Sequence, residues 1–509
     1  MKKLNRKGAL LLLEGFDVSQ PAEYISDRAS PNSQNFFVDR GLLRKRNGTS
    51  TVGQNASSII MAGREFTRDD VRYNVRVSRT NVEQYDSVGL NWDDITGAAL
   101  TGSEDDIVSM AIPTLSGKQI LCITNGIDPI RKYDGSGTTV NLGGSPPVAK
   151  YIQEYEGYLV AANIRGGVDQ GQLVQWPNTF DPENWSTRNA GNQLLTEGGE
   201  DISGLNRFGK FLCVHKPNLI YLGRLVSSSA IFQFDPVPTG VGTICNATIQ
   251  NLPTGEQSFL AQDGIRIFNG MTADPIPSPV NDEIRDSLNR ANAFKSWSVL
   301  ILELDEVWIG MPIGDQTTPD TVYKYNYKTK VLYKDTRVNI TAAWRFTDST
   351  FPTWDDEAGT WDEDTGRWDD GVLQSLFPLT MLGSTNGATY KVDPTVNDDA
   401  GVAIDAFWES KDFETEVKGQ LGRWLELELW AKGISCRIEY STDGGVTWLA
   451  FNRSPVTLSS EFPSDSSPLK LYFDTVSSRI RLRFSNSRLG EPLAIKQFIL
   501  GYREREMRS

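Results

Sequence analysis

The chain has a single histidine in 509 residues, His215, and only four cysteines: Cys122, Cys213, Cys245 and Cys436. One histidine excludes a multi-histidine metal centre. It also leaves a Ser-His-Asp triad only His215 to use. That residue follows Leu212-Cys213-Val214 and precedes Lys216-Pro217, where a turn residue is expected rather than a catalyst. The cysteines are far apart and none sits in a paired motif. Cys122 and Cys213 lie in short apolar runs and read as small core residues on strands. Neither a disulfide framework nor a zinc site is indicated. Long hydrophobic runs are missing too. Ala9–Leu13 follows Lys2, Lys3, Arg6 and Lys7 in the manner of a signal peptide, but it stops at Glu14 and no small-residue cleavage site follows. Synthesis and folding in a cytoplasm are therefore expected, with no membrane anchoring by this chain. No Gly-x-Ser-x-Gly elbow, P-loop or Rossmann glycine fingerprint occurs, and no cofactor is expected. Positive charge is in deficit, with 51 Lys and Arg against 65 Asp and Glu and a net charge of −14. Proteins that grip DNA by its phosphates are basic, so tight nucleic-acid binding is not expected.

What is present points to strands and turns. Glycine (45), proline (24) and 10% aromatics favour an all-β chain of roughly two to four domains. Ile120–Ile123 meets Asn125-Gly126 and then Ile130–Tyr133. Phe259–Ala261 meets Asp263-Gly264 and then Ile265–Phe268. The grammar is shared: apolar strand, hairpin turn, alternating strand with an aromatic end, second glycine turn. Echoes occur around Gly157 and Gly387, and Val307–Gly310 with Val322–Asn326 is a further hairpin candidate. Recurrence of this kind predicts a β-propeller over 51–400, with room for six to eight blades, or else a chain of separate sandwiches. One helix is expected after Pro279, with Ile284, Leu288 and Ala291 on one face. From 401 to 509, Trp424–Trp430 and Ile480–Phe484 alternate as half-buried strands do, which predicts a C-terminal β-sandwich.

Two motifs call for chemistry and have plainer readings. Ser441, Asp443, Gly445 and Trp448 fit the Asp-box pattern, which builds a tight hairpin and is structural. Trp354, Trp361 and Trp368 recur every seven residues in a segment with eight carboxylates. Asp355, Asp362 and Asp369 are its candidate ligands for a hard cation such as Ca²⁺, although the EF-hand order is absent. The segment also reads as an aromatic-anchored acidic loop, or as a projecting loop that lines a channel or touches a partner. With 65 acidic residues a glycosidase-like carboxylate pair always exists somewhere, and nothing singles one out.

Residues 1–50 form an extended N-terminal arm that is locally basic, in contrast with the acidic remainder. It reads either as a segment that docks on something acidic or as a solvated basic stretch. Gly15-Phe16-Asp17 and the run from Asn32 through Phe36-Phe37-Val38, Arg40, Arg44-Lys45-Arg46 to Gly48 resemble the N-terminus of tail-tube or nozzle proteins of short-tailed bacteriophages. The Trp-Asp-rich loop is also similar to loops of phage tail proteins. The resemblance implies a structural virion protein rather than an enzyme. It implies a homo-oligomeric ring, six copies being the expectation, placed next to adaptor and fibre proteins and assembled in the host cytoplasm. Arg40, Arg44, Lys45 and Arg46 would then be the assembly arm, and an acidic lumen would let DNA pass without holding it. The alternative is a propeller-type glycosidase or a carbohydrate-binding host-recognition protein, which would normally carry several Asp-boxes where this chain has one.

Overall fold

The computed structural model of the chain describes residues 5–10, 14–165, 170–226, 231–276, 280–347 and 378–504. Turn chemistry sets the first level of order. Tyr155 pairs with Tyr158 across Glu156-Gly157, and both turn residues have positive φ, +49° and +82°, as a type I′ hairpin requires. Asn125 makes a wider turn, its side-chain oxygen accepting the N–H groups of Ile127 and Asp128. The expected hairpins form: Leu121–Thr124 pairs with Arg131–Tyr133, Gln257–Ala261 with Gly264–Phe268, and Glu306–Met311 with Thr321–Asn326.

These hairpins extend into seven largely antiparallel sheets that follow one another along the chain as the blades of a propeller. The innermost strands are Ile60–Arg68, Ser109–Ala111, Val148–Tyr155, Gly204–Phe208, Gln250–Asn251, Trp297–Ile301 and Ile340–Phe346. In blades 1 to 6 the next three strands of the blade follow in sequence order. Blade 7 is different. Its strands Ile340–Phe346, Leu379–Ser384 and Thr389–Asp393 are completed by Gly48–Thr51 from the N-terminal segment, with Gly48 opposite Asp393. The ring is thus closed by joining distant parts of the chain. Only a glycine fits at 48, because an added Cβ would lie 1.9 Å from the Asp398 carbonyl oxygen.

Apolar faces of neighbouring blades meet in pairs, and each seam has its own buried cluster. Val75, Val77 and Leu121 fill the first seam. Ile60, Trp344 and Met381 fill the closing one, between blades 7 and 1. The helix Val280–Ser287 lies against blade 5, burying Val280 and Ile284. It ends earlier than its sequence period suggests: Leu288 is buried, but Ala291 is exposed beyond the helix. No helix among the described residues is long and apolar enough to cross a membrane.

The sandwich packs two sheets over a core that includes Trp424, Leu427, Leu482, Phe484 and Phe498. Arg479–Asn486 alternates half-buried and buried along its length, so its apolar members face the other sheet. The N-terminal segment is part of both sheets. Ser33–Gln34 pairs with Ala406–Glu409, and Leu42–Lys45 pairs with the last strand, Leu493–Glu504. Residues 33–51 therefore run from one domain into the other, sandwich first and propeller last.

Candidate functional site

A cavity of about 720 Å³ follows the propeller axis, lined by the innermost strands of all seven blades. Its polar residues mostly bind the neighbouring blade. Ser109 donates to Ile152 O at 3.3 Å, Asn206 to Ile249 O at 3.2 Å and Gln250 to Ser298 O at 3.1 Å. Trp297 Nε1 donates to Ile340 O at 2.9 Å, and Thr341 to Ile60 O at 2.6 Å. Arg64 to Met110 O at 3.1 Å and, outside the cavity on the second strand of blade 3, Asn163 to Ile202 O at 2.7 Å complete a closed circuit of side-chain staples around the ring. These groups satisfy backbone acceptors that the short inner strands leave open. Two ion pairs sit in the wall: Arg345 with Glu303 and Lys295 with Asp105, both at 2.6 Å.

A second constellation lies where the N-terminal segment, the propeller and the sandwich meet. Arg46 is almost fully buried. Its guanidinium forks onto both oxygens of Asp399, one at 2.8 Å, and it also donates to Asn35 Oδ1 at 2.8 Å and Thr336 O at 3.1 Å. Asp335, fully buried, accepts an ion pair from Lys324 and has Arg46 and Arg337 at 3.8 and 3.9 Å. Lys324 lies 4.1 Å over the Trp308 ring, whose Nε1 donates to Glu306 at 2.7 Å. Burial alone raises Asp399, but hydrogen bonding to Arg46 overrides it and holds the carboxyl below its usual range. Burial raises Glu306 despite Lys324, and lowers Arg337 to about 10, with Arg46 adding to the effect. Three cations and three acids form one buried network, too enclosed to act on a substrate and well placed to fasten the two domains.

Asn35 is its hub. Its φ is +58°, and its side chain reaches Thr336 Oγ1 at 2.8 Å and Asp405 O at 2.6 Å while its oxygen receives Arg46 and Thr336 N–H. No local signal marks this network in the sequence, because its partners are separated by some 300 residues; Arg46 and Asp399 are 353 apart.

The assembly-arm residues divide. Arg40 is exposed and Arg44 half-exposed, both near Asp39. Lys45 and Arg46 are buried, which corrects the expectation that they face a neighbour: Lys45 bonds Asn486 Oδ1 at 2.8 Å, and burial, then Arg46, lowers it to about 8. The Asp-box lies in the sandwich. Asp443 accepts from Ser441 Oγ at 2.7 Å and from Thr447 N at 2.9 Å, Ser441 Oγ accepts from Gly445 N at 2.8 Å, and Trp448 stacks 3.9 Å from Arg483. The loop's hydrogen bonds hold Asp443 far below the usual carboxylate range. Asp355, Asp362 and Asp369 lie outside the described residues. Among the described residues no group of three or more His, Cys, Asp or Glu is placed to hold a metal ion.

His215 is a fully buried strand residue, not a turn residue, because its neighbours pair it across Gly204 and Ile220. Nε2 meets Gln257 Oε1 at 2.8 Å, and burial lowers its pKa to about 4. The unfolded chain takes up a proton here near pH 6.5 and the folded one does not, so stability is complete above that pH and falls down to about pH 4. The loss is expected to approach about 3 kcal/mol. Urea titrations across this range should show a steeper acid slope for the wild type than for His215→Gln; parallel slopes contradict the assignment.

No family model and no curated protein matches the chain. Several solved structures are similar to it at low identity. BamB from Moraxella catarrhalis is 10% identical, with 70% of this chain and 93% of that one covered and a TM-score of 0.36. PorZ from Porphyromonas gingivalis, a bacterial surface component of the type-IX secretion system, is 10% identical with a TM-score of 0.36; 79% of this chain is covered but only 46% of PorZ. An exo-beta-1,3-galactanase from Phanerochaete chrysosporium is 9% identical, with 89% and 100% covered and a TM-score of 0.27. The propeller assignment rests on the strand order of this chain itself.

Proposed function

We propose that the chain is a structural subunit of a bacteriophage tail, a nozzle or tail-tube ring through which the genome leaves. The observation that carries this reading is the location of the segment that resembles phage tail proteins. Residues 33–51 build strands in both sandwich sheets and in blade 7, and Asn35 and Arg46 fasten the domains. A segment used in this way serves rigidity and assembly rather than chemistry. Duplex DNA, about 20 Å across, needs the hole among copies; the propeller cavity has the volume of a small-molecule site. The net charge of −14 suits a lumen that does not retain DNA. A closed ring gives every copy the same head-to-tail contact, with exposed Arg40 available to it.

Native mass spectrometry with negative-stain imaging tests the proposal. A closed ring of about six copies, with a hole wide enough for duplex DNA, is the expected result. A protein that stays monomeric and cleaves members of a glycan panel overturns it and favours the glycosidase reading.

A further inference from the structure

We propose that the propeller cavity binds an oxyanionic small molecule, with Arg64 as the residue that recognises it. Arg64 stands on the innermost strand of blade 1 and lines the cavity. Among the described residues its one polar contact is the bond from Nη1 to Met110 O at 3.1 Å. The other cations in the wall, Lys295 and Arg345, each have a carboxylate at 2.6 Å. Two of the buried arginines are paired as well, Arg76 with Glu83 at 2.8 Å and Arg46 with Asp399. Arg64 has five N–H donors and, among the described residues, no carboxylate within 4 Å, although Glu65 and Glu303 line the same cavity. Burial weakens its hold on its proton, and no neighbouring acid restores it.

Arg64 is half-buried and open to the cavity, and a bound anion would supply the counter-charge it lacks. The guanidinium fork matches two oxygens of a carboxylate or a phosphate. A volume of about 720 Å³ exceeds what a bare ion needs and falls in the range of small-molecule sites. The ligand class is therefore a phosphorylated or carboxylated molecule of metabolite size. A second observation is independent of Arg64: the Ser296 hydroxyl, on a residue only 2% exposed, lines the same cavity without a partner. It is a buried hydroxyl that no protein group satisfies, whereas Ser109 and Gln250 are held in the staples.

The test is thermal unfolding in inorganic phosphate and in acetate, each against sodium chloride at equal ionic strength. Wild type and Arg64→Lys are expected to gain about 2 °C at a hundredfold excess over the dissociation constant. Arg64→Met is expected to lose that response, its melting temperature in chloride also reflecting the lost bond to Met110 O. A response to phosphate alone assigns a phosphorylated ligand, and to acetate alone a carboxylated one. Arg64→Met that responds like the wild type, or a wild type that responds to neither anion, overturns the proposal. Should Arg64→Met not fold, native mass spectrometry of the wild type in phosphate decides: one adduct per chain supports the site, and none overturns it.

Discussion

Arg46→Ala is expected to destabilise the protein by about 3–5 kcal/mol, the cost of removing one partner from a buried ion network. Asp399 would lose both guanidinium bonds, and Asn35 Oδ1 would lose one of its two donors. Asp335 would keep Lys324, but one of its three nearby cations would be gone. The damage falls on the joint between domains rather than inside either core. Calorimetry should therefore show a single transition in the wild type resolving into two in the variant, and limited proteolysis should cut first near residue 47. Arg46→Lys is expected to restore little, since an ammonium cannot fork onto Asp399 while also reaching Asn35. A loss under about 1 kcal/mol would place Arg46 with ordinary surface ion pairs and remove the fastening role assigned to it.

Trp344→Ala is expected to cost a similar amount, about 3–5 kcal/mol, by a different route. Trp344 is 5% exposed and fills the seam between blades 7 and 1. Its ring packs so closely on Gly63 that a Cβ there would lie 2.2 Å away, and its Nε1 donates to Asn74 Oδ1 at 2.8 Å. Truncation leaves a cavity and also strips Asn74 of its remaining side-chain bond, since its amide nitrogen already has no partner. Gly63→Ala presses on the same contact from the other side and is expected to destabilise by overpacking. Urea denaturation of both variants checks this. Near-wild-type midpoints would mean that the seam repacks freely and that closure depends on Gly48–Thr51 alone.

Much of the fold is legible in the sequence because it is written locally. Asn125-Gly126, Asp263-Gly264 and Glu156-Gly157 all mark turns, and the alternation of Ile480–Phe484 becomes a half-buried strand. The blade count is less legible. Inner strands begin at Ile60, Ser109, Val148 and Gly204, and the hairpin Thr114–Leu115 with Lys118–Gln119 interrupts blade 2, so no fixed period survives. The candidate sites are the least legible part. Lys45 and Arg46 look like surface charge because their partners, Asn486 and Asp399, lie hundreds of residues away. Arg64 carries no local mark either; only a ring of seven blades places it beside a cavity.

The closing strand has a consequence for how the protein is made. Gly48–Thr51 leaves the ribosome early, but its partner strand ends at Asp393. At about 5–20 residues per second, the N-terminal segment waits roughly twenty to seventy seconds for the strand it completes. The sandwich waits longer still, since Leu42–Lys45 pairs with the last strand of the chain. Throughout translation the nascent chain therefore carries unpaired β edges, a template for the wrong pairing. The propeller can close once Asp393 has been made, whereas the sandwich must wait for Leu493–Glu504, so the two domains finish in that order.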